Sequence, residues 1–505
     1  MKTAYSHAIS VVGIEGHLVR IEVALLPGLP HFNIVGLPDT TVSESKERIR
    51  AAFFSAGIPF PSMRVTVNLS PADTPKTGSG FDLGIAIAIM SALTNKPIDD
   101  THIFIGELGL DGSVRPVKGV LAAALVAHKN NGKLYVPEQS RQEAELACDK
   151  VQGVVHIGNI ATQFGMEAHV PENMSYIFKK DIRISDRYTY DMSDVKGQYE
   201  AKKALEIAAA GGHNILMVGA PGVGKSMLAQ RMPTILPKLT TEEAIENAVI
   251  SSIQGKFSGE LSYEAPYVAP HHSASSVALV GGGSQPRPGA ISQAHNGILF
   301  LDELPEFQSS VLQSLRQPME NGYIEIHRAR MSVRYPAAFQ FVGAANPCRC
   351  GKYLENPQAC TCKTHDRVAY FQKIGGPLLD RLDVHMVLRR MRRSDMLHAH
   401  TGESSSSIRH RVVEARERQK HRLKKERWNK NSDVSSSWLS SHTHVPDSIN
   451  DTFEEYLSLG VMSMRAINKI LRLSWTLADL QAKNKPTADE MNQALMFRFS
   501  TIDMR

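Results

Sequence analysis

The sequence predicts an α/β protein whose central domain is built on a parallel sheet, with an α+β domain before it and helices after it. An apolar strand at Asn214–Val218 runs into a glycine-rich loop at Gly219–Ser226 and then into a helix. A second apolar strand ends in two acids at Ile298–Glu303, and the chain reads as helical after Val445. Strand–loop–helix–strand alternation is typical of a parallel α/β sheet.

The composition is that of an ordinary globular protein. Apolar residues make up 42% of the 505 residues and charged residues 21%, and this length accommodates several domains. The net charge of +6 permits a polyanionic partner without establishing one. The N-terminus lacks the pattern of a signal peptide, and the most apolar run, Phe81–Leu93, is shorter than the about 18 residues of a membrane span. We therefore expect a cytoplasmic protein that does not engage a membrane.

The first domain, predicted over residues 1–175, mixes short strands with helices. Val19–Val23 and Arg64–Leu69 alternate apolar and polar residues at the strand period. Ser43–Ala56 and Asp82–Ala92 have helical patterns. The expected class of this domain is α+β.

The loop at Gly219–Ser226 matches G-x-x-x-x-G-K-[ST] at every fixed position. Glycines let such a loop curl so that backbone N–H groups point at phosphates, the lysine reaches the β- and γ-phosphates, and the serine hydroxyl ligates Mg²⁺. A chance glycine-rich turn would lack the strand before and the helix after. The residues predicted to bind ATP and Mg²⁺ in this loop are Gly219, Ala220, Pro221, Gly222, Val223, Gly224, Lys225 and Ser226.

Three further polar residues are predicted at strand ends near this loop. Asp302 follows a buried strand and can bind Mg²⁺, and Glu303 can polarise the attacking water. The alternative is a strand whose two terminal acids merely face solvent. Asn346 follows the strand Phe339–Ala345 and can orient the water, although asparagine is also common in turns.

Four of the five cysteines are clustered as C-x-C, nine residues, C-x-C. Thiolates on one loop can close a tetrahedral Zn²⁺ site, and a cytosolic thiol cluster is more often metal-binding than disulfide-bonded. Free thiols and disulfides remain the alternatives, and His365 is a substitute ligand. The predicted zinc ligands are Cys348, Cys350, Cys360 and Cys362.

A basic segment separates the nucleotide-binding domain from the C-terminal helices. Ile408–Lys430 carries ten Lys and Arg residues against three Glu and is compatible with a helix. It is either a DNA-facing or lid helix, or a solvated helix stabilised by pairs such as Glu414–Arg418. Charge alone does not decide between these readings.

The order of these motifs resembles that of AAA+ ATPases. The stretches Pro270–Ser275, Gly281–Gly289 and Leu301–Phe307 resemble the magnesium-chelatase-like branch of these enzymes, and most closely the YifB/ComM family. The resemblance covers nearly the whole chain. It implies an AAA+ core over residues 190–395, with the cysteine-rich insertion at 348–362, and a basic linker and helical lid over 396–505.

The resemblance also implies a function. Its members suggest a homo-oligomer, a hexameric ring with ATP at subunit interfaces, that drives branch migration of recombination intermediates, notably in natural transformation. By matching positions, Asn346 would be the first sensor, Arg381 the arginine finger and Arg465 the second sensor. Asp194–Gln198 would lie near the adenine.

Two segments would then face branched or single-stranded DNA. Gly322–Tyr335 alternates like a hairpin and resembles the pore hairpin of ring helicases, after a helix predicted from Glu303 to Glu320 that Pro318 kinks. Guanidinium groups there would suit phosphate contacts, and the alternative is an ordinary solvent-facing hairpin. The candidate DNA-binding residues are Arg287, in the Gly281–Gly289 loop, and His327, Arg328, Arg330 and Arg334.

The N-terminal domain resembles Lon-type proteases at Pro71–Leu83 and Val114–Gly119. A Ser–Lys dyad needs both residues in hydrogen-bonding reach, but the serine position holds Phe81 or Asp82 and the lysine position holds Leu121. Ser79 and Lys118 are close in sequence yet out of register. We therefore expect a Lon-like fold of the ribosomal S5 domain 2 type without peptidase activity.

Four functions remain to be compared. The leading hypothesis is an ATP-driven DNA translocase or helicase. The rivals are a metal-chelatase ATPase subunit that remodels a protein partner, an ATP-dependent protease, and a nucleotide-gated scaffold. The missing dyad opposes the protease, and the presence of both Lys225 and Glu303 opposes the scaffold.

Overall fold

A computed structural model describes the chain in seven stretches, and these form two units. The described residues are 1–36, 39–72, 75–171, 189–283, 286–328, 331–391 and 402–499. The first unit contains residues 1–171 together with 245–261 and 325–334, and the second contains the other described residues. The two inserted segments of the first unit lie, in sequence, inside the range predicted for the ATPase core.

The first unit is built on a mixed sheet of seven strands among the described residues. Its strands and those of a small accessory hairpin are β1 (Lys2–Val12), β2 (Glu15–Leu26), β3 (His31–Val35), β4 (Arg64–Ser70), β5 (His102–Phe104), β6 (Glu107–Leu108), β7 (Val114–Arg115), β8 (Lys133–Pro137) and β9 (Val151–Val154). The sheet order is β3-β4-β2-β1-β5-β8-β9, with β1–β2 and β2–β4 antiparallel and the other neighbours parallel. This is the α+β arrangement that the alternation of Val19–Val23 and Arg64–Leu69 predicted.

Helices cover both faces of this sheet. They are α1 (Thr40–Ser55), α2 (Asp82–Thr94), α3 (Val120–Lys129), α4 (Arg141–Glu145) and α5 (Ile157–Ala161). Helix α2 is buried from Asp82 to Ala92, and it packs with α1 against the alternate apolar residues of β2 and β4. Helix α3 packs on the other face, against Ile9, Ile103 and Leu134.

The second unit contains a five-stranded sheet with every neighbouring pair parallel, in the order β11-β14-β17-β10-β18. The strands that follow β9 along the chain are β10 (Ile215–Gly219), β11 (Tyr267–Val268), β12 (Gly281–Gly282), β13 (Arg287–Pro288), β14 (Ile298–Leu301), β15 (Tyr323–Arg328), β16 (Met331–Pro336), β17 (Gln340–Ala345) and β18 (Val384–Leu388). Because the strands are parallel, their carboxyl ends meet at one edge of the sheet, where ligands bind in open α/β folds.

Most helices of the rest of the chain surround this sheet or form the C-terminal region, whereas residues 245–254 of the helix Thr241–Gln254 belong to the first unit. The helices that follow α5 along the chain are α6 (Tyr199–Gly211), α7 (Lys225–Arg231), α8 (Thr241–Gln254), α9 (Ser276–Val280), α10 (Ala290–Gln293), α11 (Ser309–Ser314), α12 (Arg316–Asn321), α13 (Thr364–Gln372), α14 (Gly376–Leu379), α15 (Ser405–Arg422), α16 (Ser436–His442), α17 (Asp447–Ser458), α18 (Met464–Leu480) and α19 (Ala488–Phe499). The α/β core with a helical C-terminal region confirms the predicted fold class.

The segment 245–261 is part of the hydrophobic core of the first unit. Ala248 and Phe257 pack against Leu121 and Ala122 of α3. The hydroxyl of Ser252 bonds to a carboxylate oxygen of Glu143 at 2.5 Å. This apolar patch on α3 would be exposed to water if residues 245–261 were absent.

The stretch from Glu303 to Glu320 is not the single kinked helix that the sequence predicts. A short 3-10 turn is followed by extended backbone at Phe307, and then by α11 and α12, which meet at Leu315. Pro318 has no N–H to donate to the carbonyl of Ser314, so the helical ladder is interrupted where the two helices meet.

The basic helix α15 ends at Arg422, earlier than the predicted Lys430, and its arginines bind within the second unit. The Glu414–Arg418 pair is present at 3.5 Å. Each arginine nevertheless reaches a carbonyl or carboxylate elsewhere in the unit, and the five are Arg409, Arg411, Arg416, Arg418 and Arg422. These contacts correct the picture of a merely solvated helix.

Among the described residues, no helix combines the length and the apolar character needed to cross a bilayer.

Candidate functional site

The loop after β10 lies at the carboxyl edge of the parallel sheet. All residues of β10 are buried, so its end is held firmly. Gly222 and Gly224 have φ angles of 80° and 98°, which side chains with a Cβ rarely adopt. These two glycines therefore allow the loop between β10 and α7 to curl, as the motif requires.

The ammonium group of Lys225 lies inside this loop. Its Nζ donates to the carbonyl oxygens of Gly219 at 2.7 Å and Ala220 at 3.0 Å, and to Oδ1 of Asn346 at 3.0 Å. Burial lowers the pKa of Lys225, while Asp302 and Glu303 favour its charged form. A buried cation whose acceptors are neutral oxygens is suited to exchange them for a phosphate.

The two acids predicted at the end of β14 take different positions. Oδ2 of Asp302 accepts a hydrogen bond from the Ser226 hydroxyl at 2.5 Å. These two oxygens are hard donors of the kind that Mg²⁺ prefers, so the residues present fit a magnesium site. Glu303 is exposed and has a φ of 51°, an uncommon conformation for a residue with a side chain that often accompanies a functional site.

Sequence reasoning missed one residue of this site. Nδ1 of His272 lies 3.3 Å from Oε2 of Glu303, and the ring of His271 lies tilted by 35° against that of His272, with 4.1 Å between centroids. His272 follows β11, the neighbour of β14, and so comes to the same edge of the sheet. The signal was available in the Pro270–Ser275 stretch, which the sequence analysis used only for its family resemblance.

The three predicted sensor and finger residues lie in different surroundings. Asn346 contacts Lys225 directly. Arg381 donates to Oε1 of Glu320 at 2.5 Å and to the carbonyl of Pro377 at 2.7 Å. Arg465 is exposed in the first turn of α18, and its guanidinium has no hydrogen bond or ion pair to any residue that the structure describes.

The segment Asp194–Gln198 lies beside the nucleotide loop. Nε2 of Gln198 donates to the carbonyl of Arg389 at 3.0 Å and reaches that of Val223 at 3.5 Å. Asp194 accepts a hydrogen bond from Arg231 at 3.0 Å. Gln198 therefore ties this segment to the loop and to the end of β18.

The four clustered cysteines converge. Their sulfur atoms all lie within 4.8 Å of one another, with 3.4 Å between Cys348 and Cys350 and 3.8 Å between Cys348 and Cys360. Tetrahedral Zn²⁺ with about 2.3 Å to each sulfur places the sulfurs about 3.8 Å apart. The arrangement fits zinc, whereas His365 instead contacts Asp366 at 2.9 Å.

The thiols of the cluster are unlike one another. Burial raises the pKa of Cys348 to about 12, and the backbone N–H of Lys352 lowers that of Cys350 to about 6. Since the thiolate is the form that binds metal, the Lys352 N–H favours the metal-binding form of Cys350.

The cysteine loop also contacts the nucleotide loop. Gly351 has a φ of 75°, and a Cβ there would lie 2.5 Å from Cδ of Pro221. The close approach requires glycine at this position.

The candidate DNA-binding residues are exposed where the structure describes them. His327, Arg328 and Arg334 lie on the hairpin of β15 and β16, and Arg287 lies on β13. His327 bonds to Ser332 at 3.0 Å. Arg330 lies outside the described residues.

The region that resembles Lon proteases has its polar groups engaged. Asp82 is buried and binds Arg48 and the hydroxyl of Ser45; burial raises the pKa of Asp82, whereas the Arg48 and Ser45 hydrogen bonds lower it. Ser79 donates to the carboxylate of Glu107. Leu121 is fully buried and Lys118 is exposed.

Comparison with known proteins adds three regional matches. The family described as magnesium chelatase, subunit ChlI, matches residues 191–396, and its C-terminal part matches 402–498. A further family, described as "subunit ChlI of Mg-chelatase", matches residues 21–140.

Two of the individual relatives match over nearly the whole length, and a third matches part of it. The chain is 39% identical to the competence protein ComM of Haemophilus influenzae, over 99% of this chain and 98% of that protein. It is 36% identical to the uncharacterized protein YifB of Escherichia coli, over 99% and 97%. Lon protease of Nitratidesulfovibrio vulgaris is 29% identical over 136 residues, which cover 25% of this chain and 17% of that protein.

Proposed function

Because this chain belongs to the magnesium-chelatase-like AAA+ ATPase family that includes ComM and YifB, we propose that it is an ATP-hydrolysing DNA motor acting on branched recombination intermediates. It would act in the cytoplasm as a hexameric ring and contribute to natural transformation, and the name of the relative ComM as a competence protein supports this role.

The observation that carries the ATPase proposal is the convergence of four side chains at one edge of the parallel sheet. Lys225 bonds to Asn346, and Ser226 bonds to Asp302. Glu303 follows Asp302 directly. A cation for the phosphates, oxygen ligands for Mg²⁺ and a carboxylate that can orient water are the parts that phosphoryl transfer requires.

In the proposed reaction, Lys225 leaves its carbonyl acceptors and binds the β- and γ-phosphates. Ser226 and Asp302 would hold Mg²⁺, which would supply positive charge against the phosphate oxygens. Glu303 orients the attacking water and Asn346 positions it against the γ-phosphate. Arg381 of one subunit would act on the ATP of its neighbour, and Arg465 would contact the nucleotide from the lid.

DNA binding rests on exposed cations. His327, Arg328 and Arg334, together with Arg330 and Arg287, would contact phosphates without reading sequence. The four cysteines would hold a structural Zn²⁺ that fixes the loop after Asn346. The first unit would lack peptidase activity, because Ser79 is bound to Glu107 and Leu121 fills the lysine position. It would instead serve assembly or DNA engagement.

The test is ATP turnover with and without a four-way DNA junction, together with movement of that junction. We expect strong stimulation by the junction and ATP-dependent branch migration, both lost in Lys225→Ala and Glu303→Gln. Turnover stimulated only by a protein partner would favour a chelatase-type remodelling subunit. Casein cleavage that Ser79→Ala abolishes would favour a protease.

A further inference from the structure

The guanidinium of Arg381 is occupied by a partner in its own chain. It donates through Nη2 to Oε1 of Glu320 at 2.5 Å and through Nη1 to the carbonyl of Pro377 at 2.7 Å. The Arg381 side chain is 18% exposed and that of Glu320 is 55% exposed. In this state the proposed arginine finger is directed at Glu320.

The backbone that carries Arg381 is anchored. Lys469 donates to the carbonyl of Arg381 at 3.0 Å and also binds the carboxylate of Asp383. Asp383 is 4% exposed and accepts a hydrogen bond from the backbone N–H of Asn214 at 2.9 Å. The backbone of Arg381 is therefore fixed by the buried Lys469–Asp383 pair. The Arg381 side chain can exchange one partner for another without breaking that pair.

The resting position of the guanidinium leaves one donor unsatisfied. Nε of Arg381 is buried and has no hydrogen-bond partner among the described residues. A buried donor without an acceptor is costly, and a half-exposed ion pair contributes little to stability. The Glu320 contact is therefore weak, and a phosphate, which pairs with guanidinium in a bidentate manner, can replace it.

Glu320 lies at the root of the β15–β16 hairpin. It is in the last turn of α12, and Gly322, with a φ of 73°, caps the C-terminus of this helix. The carbonyl of Gly322 accepts a hydrogen bond from the N–H of Ala337 at 2.8 Å, which closes the hairpin's base. Two residues of chain, Asn321 and Gly322, therefore join Glu320 to the first strand of the hairpin.

We propose that Glu320 is a positioning residue that holds Arg381 away from the neighbouring subunit's nucleotide until DNA engages the hairpin. Displacement of the hairpin's root breaks the Glu320–Arg381 contact and frees the guanidinium. ATP hydrolysis in the neighbour is thereby made dependent on DNA. The inference rests on the proposed function, because it takes Arg381 as the finger and the hairpin as a DNA contact.

The test compares Glu320→Gln with Asp380→Asn in the full-length protein. Both remove one carboxylate close to Arg381, but the carboxylate of Asp380 makes no bond with it among the described residues. We expect Glu320→Gln to raise DNA-free kcat by up to about fivefold, which is the limit for an exposed ion pair. The ratio of DNA-stimulated to DNA-free turnover should fall by the same factor, with KM for ATP unchanged.

Two results would overturn the inference. One is a Glu320→Gln enzyme whose DNA-free and DNA-stimulated turnover both equal those of the unmodified protein. The other is an Asp380→Asn enzyme with the same gain, since the effect would then be general electrostatics.

Arg381→Ala separates this failure from that of the proposed function. Loss of turnover by about 10³–10⁵ in that variant supports the finger. Full turnover in Arg381→Ala would remove the finger assignment and the role of Glu320 together.

Discussion

Asn346, for which the sequence indicated a role only weakly, contacts Lys225 in the structure. The amide oxygen of Asn346 accepts from Nζ of Lys225 at 3.0 Å. Asparagine after a strand is usually a turn residue. Here the pairing of its strand with β10 brings the Asn346 side chain to Lys225, and this contact gives it a chemical role.

We predict that Asn346→Ala lowers kcat for ATP by about 10²–10³, the loss typical of one preorganised polar group. ATP binding should change little, because the phosphate contacts of the loop remain. Steady-state kinetics and fluorescent-nucleotide titration measure the two quantities. Asn450→Ala, which removes an exposed amide that donates to Glu454 on the helix Asp447–Ser458, is the control, and equal losses in both variants would contradict the prediction.

His213 should make the second unit sensitive to acid. It is fully buried, and burial lowers its pKa from 6.5 to about 4, against the effect of Asp383 and with smaller contributions from Lys469, Arg416 and Arg472. The unfolded state therefore takes up a proton first as the pH falls. Stability is unaffected above pH 6.5 and is lost between about pH 6.5 and pH 4.

The measurement is the free energy of unfolding in urea at pH 7 and pH 5. We expect the unmodified protein to lose more stability over this range than His213→Asn, by up to about 1.4 kcal/mol for each pH unit. Equal pH dependence in the two proteins would show that His213 does not carry the effect.

At the scale of elements, the cysteine loop joins two parts of the site. It begins two residues after Asn346 and returns at Gly351 to contact Pro221. A metal that closes this loop would therefore support the nucleotide loop as well.

We predict that the purified protein contains one Zn²⁺ per chain and that Cys360→Ser and Cys362→Ser lose it. Cys148→Ser should retain it, because Cys148 is buried in the first unit and is not part of the cluster. Metal analysis by plasma emission gives the count. A protein without zinc whose four thiols all react rapidly with a thiol reagent would contradict the prediction.

Helix α15 depends on Arg422. The guanidinium donates to both carboxylate oxygens of Asp479, at 2.6 and 2.8 Å, and to Oδ1 of Asn431 at 2.8 Å. Asp479 is fully buried, so removal of its partner leaves a buried charge.

We predict that Arg422→Ala destabilises the protein by about 3 kcal/mol, at the lower end for a broken buried pair because Arg422 is partly exposed. Lys420→Ala, on the exposed side of the same helix, should change stability by less than about 0.5 kcal/mol. Thermal unfolding measures both. A large loss of DNA affinity in a stable Arg422→Ala protein would instead favour a DNA-facing helix.

At the scale of the whole molecule, the chain order and the spatial grouping differ. Residues 245–261 and 325–334 belong to the first unit although they lie, in sequence, within the predicted ATPase range. Residues 245–261 belong to the first unit because Ala248 and Phe257 remove the apolar surface of Leu121 and Ala122 from water.

We predict that Glu303→Gln with ATP forms a particle of six times the chain mass, and that Lys225→Ala does not. The first variant should bind ATP without splitting it, and the second should bind it poorly. Light scattering on a sizing column measures the mass. A particle of the same mass for both variants, with and without ATP, would show that nucleotide does not control assembly.

The nucleotide loop, the acidic strand end, the clustered spacing of the cysteines and several of the helices and strands could be predicted from the sequence. These features are local, because the residues are adjacent in the chain and their backbone geometry follows from glycine positions and apolar periodicity. The sequence also indicated that the first domain resembles Lon proteases, which the α+β fold and the match to Lon protease support.

Which charged groups meet became visible only in the folded protein. Glu320 and Arg381 are 61 residues apart, and His272 reaches Glu303 from a neighbouring strand. The arginines of α15 bind groups on other helices, although their composition suggested a solvated or DNA-facing surface. Such pairs depend on how sheets and helices pack, and a side chain's partner in space leaves no pattern in its own stretch of sequence.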